Sequence, residues 1–147
     1  MTQTAQPTLQ VTRTNWLDHL GGTSDIYSKV AELLANDSDY IETILDPTAA
    51  VYVAKLTSVT DPVSATGHVL RYRYRKNAID DDVISLLVEL RQGYVNESSK
   101  GTLIASTTHA NLPGDAWTVG ALTLSAGEAN SITDYANLFV RFEASTV

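Results

Sequence analysis

The sequence predicts an all-β fold: an antiparallel sandwich of two sheets, jelly-roll-like, with one or two short helices inserted. Three observations lead there. Apolar and polar side chains alternate in at least five segments, the period-2 signature of half-buried strands. Gly, Pro, Asn and Asp punctuate the chain between those segments at fairly regular intervals. Finally, 147 residues, 44% of them hydrophobic, suffice for one domain with a proper core.

Taken in order, residues 1–10 (MTQTAQPTLQ) have no period and are expected to form an extended arm that contacts another chain, ahead of a single sandwich domain over 11–147. Thr8 to Thr14 alternates weakly, as an edge strand would. Trp16 to Gly22 reads as a loop broken by Gly21-Gly22. Between Ser24 and Asn36, Ile26, Val30, Leu33 and Leu34 recur at helical spacing, with Ser24 or Asp25 as N-cap. A turn at Asn36-Asp37-Ser38-Asp39 precedes short strand candidates at Tyr40 to Leu45 and Val51 to Leu56.

The stretch His68 to Lys76, HVLRYRYRK, alternates strictly. It places Leu70, Tyr72 and Tyr74 on a core-facing side and Val69, Arg71, Arg73 and Arg75 on the other. Val83 to Arg91 alternates as clearly, with Ile84, Leu86, Val88 and Leu90 inward, and the two are expected to pair as a hairpin. Thr102 to Thr108 follows. In Ala116 to Leu124, Trp117 and Val119 share one parity while Leu122 and Leu124 share the other, which predicts a β-bulge near Gly120. Ser125-Ala126-Gly127-Glu128 spells a capping box, opening a short helix. The last strand, Asn137 to Glu143, turns Leu138, Val140 and Phe142 inward and Arg141 and Glu143 outward.

Composition excludes several function classes. Seventeen acids against ten bases give a net charge of −7, which argues against nucleic-acid binding because that affinity needs clustered cations. The chain has no cysteine for disulfides, thiolate metal sites or thiol nucleophiles. No apolar run is long enough to span a membrane, and the N-terminal residues do not resemble a signal peptide, so folding in a cytoplasm is expected.

No motif announces catalysis. His19, His68 and His109 lack metal-ligand spacing. Asp80-Asp81-Asp82 and the 36–39 turn offer oxygen ligands, yet neither fits a calcium loop, and turn chemistry accounts for both. There is no nucleophile elbow or phosphate-cradling loop. We therefore expect neither enzyme activity nor a cofactor. Trp16 and Tyr94, both placed in loops, are the aromatics left free for a glycan, since Tyr72, Tyr74 and Trp117 read as core. The row Arg71, Arg73 and Arg75 has three readings: cross-strand pairing with Glu89 and Glu143, anchoring of acidic loops of the same chain, or a partner interface. With Thr2, Gln3, Thr4 and Gln6 of the arm, it forms the candidate interface.

The order Trp16, Asp39-Tyr40-Ile41, Asp61-Pro62, GHVLRYRYRK, ELRQG and ITDYANLFVRFEA resembles small virion proteins of tailed bacteriophages, over about Trp16 to Ala144. The resemblance implies a jelly-roll decoration or cement protein on the capsid surface. It also implies the major capsid protein as partner, a trimeric assembly, and synthesis in the host cytoplasm. The alternatives are a carbohydrate-binding module of a tail or fibre, and a head–tail connector or tail-completion protein.

Overall fold

The computed structural model describes residues 2–77, 82–114 and 116–147. Among them, nine strands form: β1 (Pro7–Thr14), β2 (Trp16–Asp18), β3 (Ile41–Thr43), β4 (Ala50–Leu56), β5 (Val69–Tyr74), β6 (Ile84–Gln92), β7 (Thr102–His109), β8 (Thr118–Thr123) and β9 (Leu138–Thr146). One α-helix, α1 (Ala126–Asn130), and a 3₁₀ turn at Ile26–Lys29 complete the regular structure. All named strands pair antiparallel, in a five-stranded sheet of order β1-β4-β9-β6-β7 and two separate ribbons, β2-β3 and β5-β8. The predicted antiparallel sandwich is thus the fold. A jelly roll opposes two four-stranded sheets; here one five-stranded sheet faces two two-stranded ribbons.

The main core lies between the large sheet and those ribbons. Tyr52, Ala54, Leu86, Val88, Leu90, Leu138 and Val140 line the sheet's inner face, and Trp16, Leu122, Leu124, Tyr72 and Tyr74 pack down from the other side. The inward parity read from β6 and β9 is the observed one. Leu70, Tyr72 and Phe142, expected to be buried, are only half-buried at its margin. An aromatic chain crosses this core, from Tyr52 through Trp16, Phe142 and Tyr72 to His109, with centroids 5.6–6.4 Å apart. The back of the large sheet carries a smaller cluster of Val51, Val53, Tyr94 and Phe139.

Several expectations are corrected. β5 and β6 do not pair as a hairpin: β6 has β9 on one edge and β7 on the other, and β5 crosses to the opposite layer to meet β8. Alternation fixes which face a residue takes, not which strand lies beside it. The 24–36 stripe yields only the 3₁₀ turn. Ile26 is buried but Leu33 and Leu34 are 76% and 85% exposed, and a short helix without an apolar face to bury is not stable. Asp25 there has a left-handed φ of 52° and makes no side-chain cap bond.

No bulge occurs at Gly120. The register runs unshifted from Val69↔Thr123 to Tyr74↔Thr118. Gly120 itself faces the core and is buried, in phase with Leu122 and Leu124, and the apparent phase break arises because the apolar Trp117 and Val119 lie on the outward face. A methyl group there would sit 2.2 Å from the Tyr72 ring. The Ser125 capping box forms as predicted, with Ser125 Oγ accepting from Glu128 N–H and the Glu128 carboxylate accepting from Ser125 N–H.

Residues 3–10 lie along their own sandwich. Gln3 exchanges two hydrogen bonds of 2.8 Å with the Thr60 backbone, and Gln6 bonds Thr57 and Ala31. Pro7 to Gln10 already belong to β1, so no domain boundary falls after residue 10.

Candidate functional site: the outer face of the β5–β8 ribbon

β5 packs its tyrosines against Phe142 and His109, with Tyr72 Oη 2.6 Å from His109 Nε2. Burial raises the Tyr72 pKa and lowers that of His109, so both favour their neutral forms. The alternation of the strand then turns Arg71, Arg73 and Arg75 outward, beside Trp117, Val119 and Ala121 from β8 and the residue preceding it.

The 36–40 turn covers one half of this face. Asn36 Oδ1 accepts from Ser38 N–H and Asn36 O from Asp39 N–H, which shapes a tight turn of the kind Asx residues make. It presents Asp37 to Arg73 at 2.7 Å. Tyr40 lies edge-on to Trp117 at 5.6 Å, and the Arg75 guanidinium sits 4.8 Å from the Trp117 ring centre and 5.5 Å from that of Tyr40. Such cation–π placements are worth about 0.5–1 kcal/mol at exposed sites. Lys29 and His19 both approach Asp39, holding the turn from its other side.

The other half is exposed among the described residues. Arg71 is exposed and has no hydrogen-bond or ion-pair partner among the described residues. Ala121, opposite it, is exposed, and Val119 is 68% exposed. The three arginines therefore share a face but not a role. Arg73 and Arg75 serve intrachain contacts, while Arg71 looks outward. None pairs with Glu89 or Glu143, whose carboxylates are held elsewhere. Of the arm residues, Thr2 and Thr4 are exposed whereas Gln3 and Gln6 are engaged with their own domain.

Other expected sites fare differently. Trp16 and Tyr94 are 8% and 4% exposed, so neither is free for a glycan; Trp16 belongs to β2 and the core, and Tyr94 to the back-face cluster. Trp117, expected in the core, is the aromatic that reaches the surface face instead. The histidines stay apart: His19 approaches Asp39, His68 Nε2 lies 2.8 Å from Tyr135 Oη, and His109 binds Tyr72. Among the described residues no group of three or more His, Asp or Glu is arranged to hold a metal ion. Asp80 and Asp81 of the acidic turn lie outside the described residues.

One charged cluster escaped sequence reasoning. Arg141, placed outward on β9, is only 1% exposed. Its guanidinium donates to Glu89 at 2.9 Å, to Glu97 at 2.9 and 2.8 Å, and to Glu143. Arg91 forks onto Glu89 at 3.0 and 2.8 Å, and Tyr94 donates to Glu97 at 2.8 Å. Burial raises the Glu89 pKa, but the two arginines outweigh it and the net shift is downward. Glu97 is held at about 2, chiefly by its hydrogen bonds from Arg141. The cluster pins the 93–101 loop onto the back of the sheet. A signal was present in the alternation of Glu89 and Arg91 with Arg141 and Glu143, but nothing in it shows a loop covering them.

Comparison with protein-family models, with curated proteins and with solved structures finds no match to this chain.

Proposed function

We propose that the protein is a structural virion component, a capsid decoration (cement) protein that binds the outside of a phage head and stabilises it without chemistry. The observation that supports this reading most is the ribbon's outer face. On a molecule of net charge −7, it gathers Arg75 against Trp117 and Tyr40, beside exposed Arg71 and Val119. Trp, Tyr and Arg are the residue types that dominate the energetics of protein–protein interfaces. The arginine–aromatic stack is ordered before any partner arrives, which lowers the entropy cost of docking.

The partner in this reading is the major capsid protein, with a trimer of this chain as the attaching unit and the virion surface as its location. A protein that binds only the assembled shell stabilises it by mass action, and several attached copies add avidity. Because overall charge gives an acidic protein no attraction to an acidic shell, attachment falls to local features such as this face.

Particles made with and without the protein test the reading. Loss of heat and osmotic resistance in its absence, restored by adding back purified protein, is expected. Unchanged particle stability would overturn it, and localisation to the portal vertex alone would favour the connector role.

A further inference from the structure

The ribbon face has a backbone as well as side chains, and one edge of that backbone meets no strand among the described residues. Leu124 N–H donates to His68 O at 3.0 Å, so His68 and Leu124 form a hydrogen-bonded pair. Such pairs alternate along an antiparallel ladder. Leu70, Tyr72 and Tyr74 therefore turn their N–H and C=O groups toward β8. Val69, Arg71 and Arg73 turn theirs to the opposite edge, where no strand pairs among the described residues. The same three residues carry the outward side chains, so this edge sets backbone groups without a strand partner among the described residues beside guanidinium groups.

The two edges of the large sheet are less receptive. β1 is broken by two register shifts against β4. β7 has one register shift against β6 and is approached by α1 and β8. β5 runs straight through six paired positions without a shift. Charge decides what it can accept. A second copy of β5 would set arginine against arginine, and like charges across strands are destabilising. A carboxylate is the complementary group, and this chain already supplies one: Asp37 on Arg73 at 2.7 Å. Arg71, next on the same face, has none.

We propose that the β5 edge takes up an extended segment of a partner protein bearing Asp or Glu at alternate positions, adding it to the ribbon as a third strand. Main-chain bonds to Val69, Arg71 and Arg73 supply affinity, and the carboxylate facing Arg71 supplies selectivity. The inference rests on the ribbon as the binding face and is independent of which particle the partner belongs to.

The test uses the full chain, ¹⁵N-labelled, with a synthetic peptide of about ten residues alternating glutamate and threonine. Amide resonances of Val69, Arg71 and Arg73 should shift on titration and their hydrogen exchange should slow, while the amides of Leu70 and Tyr72, already bonded to β8, change less. Arg71→Glu should weaken binding at least tenfold, about 1.4 kcal/mol. Arg71→Pro removes one N–H from the open edge without touching the β8 ladder, and should abolish strand addition. Equal binding of a lysine–threonine peptide, unchanged affinity in Arg71→Pro, or no saturable effect by about 1 mM overturns the proposal. Should the proline variant not fold, retained affinity in Arg71→Glu overturns it alone. Particles stabilised by a protein whose β5 edge ignores the peptide would sink this inference and leave the capsid reading intact; edge binding without particle stabilisation would do the reverse.

Discussion

The back face of the five-stranded sheet and the outer face of the β5–β8 ribbon both carry arginines on strands that are apolar on their other side, and they use them in opposite ways. On the back face, Arg141 is 1% exposed and meets Glu89, Glu97 and Glu143. On the ribbon, Arg73 reaches one carboxylate, Arg75 lies over two rings, and Arg71 is exposed. The strands themselves do not set this difference; what lies over them does. The 93–101 loop brings Tyr94, Glu97 and Lys100 over β6 and β9, whereas the 36–40 turn covers only half of the ribbon. A buried ion cluster is costly to break because a lost partner leaves other charges unpaired, while an exposed arginine can be removed at little cost and is free for a partner.

The sharpest way to break that contrast is to delete one arginine from each region. Arg141→Ala should destabilise the fold by about 3–5 kcal/mol, since Glu89 stays buried with Arg91 alone. Arg71→Ala should stay within about 0.5 kcal/mol of the parent. Denaturant unfolding of both variants checks the pair, and equal losses would mean the two regions are not distinct. A smaller effect is expected inside the ribbon. Gly120→Ala sets a methyl group against the Tyr72 ring and should cost about 1–3 kcal/mol. The penalty should shrink in a Tyr72→Leu background, where the ring is gone. A full-sized penalty there would place its origin in the backbone rather than in the contact that seats the ribbon on the core.

Which parts of this were legible in the sequence follows from what alternation encodes. The inward faces of β6 and β9, the edge strand β1, the last strand and the Ser125 capping box were all readable, because each depends on neighbours within a few residues. The tyrosine-in, arginine-out division of β5 was readable for the same reason. Strand partners were not. The β5–β6 hairpin was wrong because contiguity in sequence does not fix which layer a strand joins. The bulge near Gly120 was wrong because Trp117 and Val119 are apolar yet outward, which looks like a change of phase in a strand that has none. Trp16 and Trp117 exchanged places: the one assigned to a loop is core, and the one assigned to the core stacks on Arg75. Leu33 and Leu34 imitate a helix stripe that has nothing to pack against. The Arg141 cluster was invisible because burial of an outward residue is decided by a distant loop.

A further, pH-dependent effect probes how that loop is held. Glu97 titrates at about 2 in the folded protein against an ordinary 4.5, chiefly because Arg141 donates to it. A depressed carboxylate pKa means that the unfolded chain binds the proton first. The stabilisation is therefore fully present above about pH 4.5 and is lost as pH falls from there toward 2. Glu97 keeps 35% of its side chain exposed, so solvent screening reduces the contribution to about 1 kcal/mol. Other carboxylates lose stability in the same range, including Glu89, whose pKa is also lowered. The informative quantity is thus the difference between the parent and Glu97→Gln. The variant should be less stable at neutral pH, and the two curves should converge as the parent is acidified through that window. If the curves stay parallel down to pH 2, Glu97 is not the group that fastens the loop, and the back face owes its order to Glu89 and the apolar cluster of Tyr94 and Phe139 alone.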